Sequence, residues 1–338
     1  MNGIRSQRHA YCTYFDSGYL SRGLALIASL REHGDDSPVW VMSLDDAAHD
    51  FLTEADLPGV TSIRVAELEQ AVKALVPLRG ERSRMEYYFT MTPLLVRHVM
   101  TKYAQATTVI YLDADLYFFA DPREVLDALG AGSVGIIEHR YRPRLARRLA
   151  KYGRFNVGWV GFRGDEDGVR CLDWWGEKTL EWCGDRPSDG RYADQGYLDR
   201  FPSFDGVRIL ASSGFNLAPW NTAGRRVTEA AEGLSIEGEP LVFFHFHGVK
   251  RTARWWMTSQ LVYGAPLSRM LRESVYAPYL RRLEEFDAVV AASGHAPRPS
   301  ATNRGTGIRG LVFRAQRAVL GVLNVVSGNA IRITRNDS

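Results

Sequence analysis

Apolar residues in the first third of the chain follow two different periods. His9–Phe15 is a nearly continuous apolar run, read as a first strand. Over residues 19–33, Leu20, Leu24, Ile27 and Leu30 recur at helical spacing, and Gly34 closes the segment. Val39–Ser43 and residues 59–65 read as two further strands, with helices over 45–55 and 65–75. Residues 93–104 predict another helix, and 107–112 form a strongly apolar strand that runs straight into Asp113. Pro122 opens a helix over Arg123–Leu129, because its missing N–H costs nothing at a first turn. Val134–Glu138 and residues 156–162 read as strands, 171–183 as a helix, 241–247 as the last clear strand and 276–292 as a helix. Alternating strands and helices predict an α/β fold with a mainly parallel sheet between helices. Ligands of such sheets sit outside the carboxyl ends of the strands. Asp113 and the turn after the first strand, Asp16-Ser17-Gly18, both lie at such ends.

Composition narrows the setting. With 338 residues, 45% hydrophobic and 24% charged, the chain has an ordinary globular mix and enough length for a large core. A formal charge of +3 gives no reason to expect a nucleic-acid partner. Cys12, Cys171 and Cys183 are too few and too irregular for a disulfide framework or a zinc motif, so they read as buried thiols of a reducing compartment. No signal segment and no apolar run near the roughly 20 residues of a membrane span is visible, so a protein on the cytoplasmic side, soluble or peripherally attached to the membrane, is expected. Residues 297–307 form a polar linker. Beyond it Ile308, Leu311, Val312, Ala315, Val319, Val322, Leu323 and Val326 fall at helical spacing among Arg309, Arg314 and Arg317. This basic amphipathic extension suits either an anionic membrane surface or the protein's own core. The expected division is 1–294 for the main domain and 295–338 for linker and tail.

Asp113-Ala114-Asp115 offers two hard oxygen ligands at a strand end, the chemistry needed to hold a divalent ion against a diphosphate. In Phe243-Phe244-His245-Phe246-His247-Gly248 the strand period puts His245 and His247 on one face, either able to add a nitrogen ligand. A carboxylate–imidazole set favours Mn²⁺, with Mg²⁺ as the alternative ion. Lys250 and Arg251 follow at once, as candidate cations for diphosphate oxygens. Residues 140–154 carry Arg140, Arg142, Arg144, Arg147, Arg148, Lys151 and Arg154. That run reads either as a solvated helix face or as a flap meeting phosphate-bearing acceptors.

Tyr111-Leu112-Asp113-Ala114-Asp115-Leu116 followed by His245-x-x-Gly248 resembles the retaining glycosyltransferases of family 8, whose fold is of the GT-A type. The resemblance covers about residues 9 to 256. It implies a nucleotide-diphosphate sugar donor, UDP-sugar favoured, and a glycan or lipid-diphosphate-linked acceptor. It assigns the metal to Asp115 and His245, with Asp113 on the metal or the ribose. Donor contacts fall on Arg84, on Asp16 and Tyr19, and on Thr13 and Tyr14 at the end of the first strand. Phe155-Asn156-Val157-Gly158 and Ala193-Asp194-Gln195 resemble the elements that flank the transferred sugar, which makes Asn156, Asp194 and Gln195 the catalytic candidates. The family's Lys-Pro-Trp after His-x-x-Gly is replaced here by Arg251-Thr252-Ala253, with Lys250 one position early. Retention of configuration follows either from same-face attack or from Asp194 as nucleophile. A nucleotidyltransferase or phosphohydrolase would use the same acidic pair, but residues 11–20 lack a glycine- and lysine-rich phosphate loop. A non-catalytic sugar-nucleotide module is the remaining alternative.

Overall fold

The computed structural model describes residues 8–188, 190–231, 233–252, 255–295 and 321–333. Strands β1 (His9–Phe15), β2 (Val39–Ser43), β3 (Val60–Arg64), β4 (Thr108–Leu112), β5 (Leu116–Phe118), β6 (Val134–Glu138), β7 (Phe155–Arg163) and β8 (Val207–Ile209) carry the fold. All but β5 join one seven-stranded sheet in the order β3-β2-β1-β4-β7-β6-β8. β3, β2, β1 and β4 are parallel, β6 and β8 are parallel, and β7 alone runs against both of its neighbours. The reversal has a functional consequence: the beginning of β7, with Asn156 and Gly158, arrives where β4 ends, and Leu112 pairs with Trp159.

Strand alternation builds a core on each face of this sheet. Ala10, Cys12, Val109 and Tyr111 pack with Met91, Leu95 and Val99 of α5 (Arg84–Lys102) and with Leu172 and Trp175 of α8 (Glu166–Glu181). Tyr11, Ile110 and Leu112 face the other way, onto Leu24, Ile27 and Leu30 of the helix Leu20–Glu32. All five residues of β4 are buried, each large apolar side chain contributing about 2 kcal/mol. This burial anchors Asp113 to a rigid element. Asp45 ties the ends of β1 and β2 together: it caps the helix Asp46–Ala55 through the Ala48 N–H and also accepts from the Ser17 N–H and hydroxyl.

Several expected elements need correction. The helix placed at 93–104 begins at Arg84, and Pro93 lies inside it. Its start is a capping box overlooked in the sequence, with Ser83 accepting the Glu86 N–H and Glu86 returning to the Ser83 N–H at 2.9 Å. The helix expected over 65–75 is split into Val65–Ala71 and Leu75–Glu81. The strand expected at 241–247 is only Phe243–His245, antiparallel to β5. The basic run folds as a turn over Pro143–Leu145 and a helix, Ala146–Tyr152, and most of its arginines are engaged. Arg140 donates to the Ser212 and Phe215 carbonyls, Arg142 to Ala223, Arg144 to Gly264, and Arg154 to Glu138. These engaged arginines flank the helix; on the helix itself no residue is buried, and Arg147 and Lys151 are exposed.

The linker and the tail positions Ile308 to Val319 lie outside the described residues. From 321 the chain is described again: Val322, Leu323 and Val326 are exposed on a short helix, and Ala330–Ile331 pairs with Trp256–Met257. Among the described residues no helix is long and apolar enough to cross a membrane. All three cysteines are free and buried.

Candidate functional site

The register of Phe243–His245 against β5 places His245 opposite Leu116, next to the acidic turn. The Phe246 N–H then bonds the Asp115 carbonyl at 2.9 Å and locks that register. His245 Nε2 lies 3.1 Å from Asp115 Oδ1 and 3.6 Å from Asp113 Oδ2. His247 joins them: ligand atoms of Asp115, His245 and His247 all lie within 4.8 Å of one another. Asp113 is fixed from two sides, its N–H by the Gly158 carbonyl and its Oδ1 by the Tyr111 hydroxyl, both at 2.9 Å.

Charge state follows from these contacts. Burial alone would raise Asp115, yet His245 outweighs it and holds the carboxyl down to about 2. Asp113 is shifted the other way, burial and Asp115 prevailing over the pull of His245. His245 itself is raised, because Asp115 and Asp113 overcome the effect of burial. One ionised carboxylate, one reluctant one and two imidazoles make a donor set suited to a borderline divalent ion such as Mn²⁺. The set fits the expected group, with both histidines in reach rather than one.

Asn156 is the hub behind this cluster. Its Oδ1 accepts the Gly158 N–H at 3.1 Å, and a backbone N–H can only donate, so the amide orientation is fixed. Asn216 Nδ2 adds a second donor at 3.1 Å. His245 Nδ1, 3.2 Å from the same oxygen, must therefore carry its proton, which turns the Nε2 lone pair toward the carboxylates when the ring is neutral. Asn156 Nδ2 donates to Gln195 Oε1 at 3.0 Å, and Gln195 Nε2 donates to the Tyr152 carbonyl at 2.8 Å. Asn156 and Gln195 thus spend their polar atoms on orientation, a role that no motif spacing announced.

A cavity of about 470 Å³ collects Tyr14, Asp113, Asn156, Asp194, Gln195, His245 and His247. Asp194 is buried on its wall, and its carboxyl is pushed up to about 7 by that burial, with Asp113 adding to the effect. Its side chain does not cap the following 3₁₀ segment, the plain alternative for an Asp-Gln pair. Sequence reasoning missed much of the remaining lining, notably Tyr141, Tyr152, Tyr192 and Tyr263. Tyr141 and Tyr152 come from the connection between β6 and β7, Tyr192 and Tyr263 from two later segments, and they share no period. Arg148 stood in the basic run, but nothing distinguished it from its neighbours. Trp220 packs edge-on against His245 at 5.1 Å and His247 at 5.6 Å, a wall of the cluster.

The other expected residues divide into a rim and three that stand apart. Asp16 and Arg84 pair at 2.7 Å, and Arg84 Nε donates to the Tyr88 hydroxyl at 2.7 Å, forming one edge at the end of β1. Tyr19 is exposed, with the Arg22 guanidinium 4.5 Å from its ring centroid. Thr13 is buried within the sheet, its hydroxyl has no partner among the described residues, and it is not among the residues that line the cavity. Lys250 is exposed just beyond the Gly248 turn. Arg251 is turned away toward α9 (Ala277–Ala292), where it pairs with Asp287 at 2.9 Å and Glu284 at 3.6 Å. Acidic residues far along the sequence captured it, which local spacing does not reveal.

No family model matches the chain. It is 33% identical over 253 residues to YfnF of Bacillus subtilis (strain 168), covering 71% of this chain and 82% of that protein. It is 30% identical over 241 residues to YfnD of the same organism, covering 70% and 77%. Both relatives are uncharacterized proteins. Among solved structures, the galactosyltransferase LgtC in complex with donor and acceptor sugar analogs matches 84% of this chain and 95% of its own, at 16% identity and a TM-score of 0.47.

Proposed function

The chain belongs to the same family as YfnF and YfnD of Bacillus subtilis, and from its own site we propose that it is a metal-dependent glycosyltransferase acting on a nucleotide-diphosphate sugar. UDP-sugars are the favoured donors, a glycan or lipid-linked sugar is the acceptor, and configuration is retained. The observation that carries this reading is the convergence of Asp113, His245 and His247 with Asn156, Asp194 and Gln195 around one cavity, with Asp115 against both histidines.

Asp115, His245 and His247 would hold the ion, with Asp113 beside them. When bound, the ion supplies charge neutralisation for the departing nucleoside diphosphate. The chain's own residues do the positioning. Asn156 sets the His245 tautomer, and Gln195 holds Asn156 in place. The tyrosine walls exclude water and offer flat faces to a sugar ring. In this reading Asp194, buried on the cavity wall, orients the acceptor hydroxyl and balances positive charge at the anomeric carbon.

A thermal-shift screen of UDP-, GDP- and dTDP-sugars, each with and without Mn²⁺, tests the reading. One nucleotide sugar is expected to stabilise the protein only when Mn²⁺ is present, by about 2.7 kcal/mol at a hundredfold excess over Kd. Stabilisation by no donor under either condition would end it.

Asp194 gives a second expectation. Its carboxyl is raised in the fold from the usual 3.8 to about 7, so the folded state holds the proton more tightly than the unfolded chain does. Stability should therefore decline as pH climbs through that window, by up to about 4 kcal/mol once Asp194 is fully ionised. The kcat/KM profile should rise through the same window, because the ionised form is the working one. Asp194→Asn is expected to raise the melting temperature above pH 7, to flatten the rising limb and to lower turnover about tenfold. Melting curves and rate profiles from pH 5 to 9 check the pair, and an unchanged rate profile would remove Asp194 from the reaction.

A further inference from the structure

Arg251 is committed to Asp287 and Glu284, which leaves open which cations face the anionic part of a donor. The basic run supplies one. Arg140, Arg142, Arg144 and Arg154 are consumed by carbonyls or by Glu138. Arg148 is not: no carboxylate or carbonyl engages its guanidinium among the described residues. It lies instead over the Tyr263 ring, 4.5 Å from the centroid, and lines the same cavity as His245, His247 and Asp113. Stacking on an aromatic face holds a guanidinium in place while leaving its N–H fork free. Arg148 reaches toward His247 through Tyr263, whose ring centroid is 6.3 Å from that of His247. Its position is therefore on the His247 side of the cluster.

We propose that Arg148 is the cation that meets the diphosphate of the donor and of the departing nucleotide, taking the place that the sequence offers to Arg251. This rests on the reading of the site as one for a nucleotide-diphosphate donor. Arg148 contributes through a fork of N–H donors to phosphate oxygens, and Tyr263 sets the plane of that fork. The helix Ala146–Tyr152 thereby becomes part of the binding wall, held to the body by Arg142 and Arg144 on the turn before it.

The experiment is calorimetric titration of the full chain with Mn²⁺ and either inorganic pyrophosphate or UDP. Arg148→Met keeps the aliphatic stem against Tyr263, and Arg148→Gln is a second neutral variant. Both are expected to weaken each ligand about tenfold or more at unchanged melting temperature. Arg148→Lys should recover most of the loss, and Arg147→Met should have no effect. Wild-type affinity for pyrophosphate in both neutral variants overturns the proposal. If the wild type binds Mn²⁺ with pyrophosphate but no nucleotide, the donor reading fails, and Arg148 is still decided by the pyrophosphate arm. If the wild type binds neither, both fall.

Discussion

Asp115→Asn is expected to lower kcat/KM for sugar transfer about 10³-fold, about 4 kcal/mol of transition-state stabilisation. The substitution keeps the shape of the side chain and removes its charge. Asp115 is the more firmly ionised of the two carboxylates, held down to about 2 by His245 against the effect of burial. It lies 3.1 Å from His245 Nε2 and belongs to the three-residue donor cluster. An amide in its place leaves two neutral imidazoles beside the reluctant Asp113, a set with little hold on a hard divalent ion. Mn²⁺ titration should show affinity reduced by well over tenfold, and excess Mn²⁺ should restore only part of the rate. Turnover equal to wild type at saturating Mn²⁺ would rule out the metal site.

Gly158→Ala is the second change with a large expected effect, although its backbone angles are ordinary. A Cβ at this position would stand 2.7 Å from Asn156 Oδ1 and 2.8 Å from His245 Nδ1. Neither atom is the loose end of a flexible chain. Asn156 Oδ1 is held by the Gly158 N–H and by Asn216, and the His245 ring is pinned between Asn156 and Asp115. The methyl must therefore separate Asn156 from His245 or displace β7 from the end of β4. Overpacking of this kind costs about 1–3 kcal/mol of stability. A displacement of the ring by about 1 Å costs about 10²-fold in rate. Melting temperature, Mn²⁺ affinity and transfer rate should all fall together. A variant that binds Mn²⁺ like the wild type would show that the Asn156–His245 contact does not position the ligand.

The parts of this site legible in the sequence were those with local signatures. The five buried residues of β4 announced a strand, and Asp113 and Asp115 then fell at its end. Strand alternation put His245 and His247 on one face; the strand ends at His245, and it is the turn after it that brings His247 to Asp115. Gly158 stood within the recognised Phe-Asn-Val-Gly run, but its need for empty space depends on a histidine far along the chain. The tyrosine wall was invisible for the same reason: Tyr141, Tyr152, Tyr192 and Tyr263 meet only after distant loops fold over the crevice. The early start of α5 was legible in principle, since Ser83-x-x-Glu86 is a local signal, but Pro93 drew the boundary to the wrong turn. The fate of Arg251 was not legible, because Asp287 and Glu284 reach it only through tertiary packing of α9.

The lone reversed strand also bears on how relatives diverge. Because β7 runs against β6, with Glu138 paired to Phe155, residues 139–154 connect adjacent strand ends and hang over the crevice without crossing the sheet. Within this connection Arg148 and the Tyr152 carbonyl that holds Gln195 are tied to the site, while the other positions can change without moving the register of Asn156, Gly158 and Asp113. The exposed positions between these anchors are therefore the exchangeable part, on an element separate from Asp115, His245 and His247. Among descendants of one ancestor, sequence differences should accumulate at those positions faster than in the strands that the connection joins.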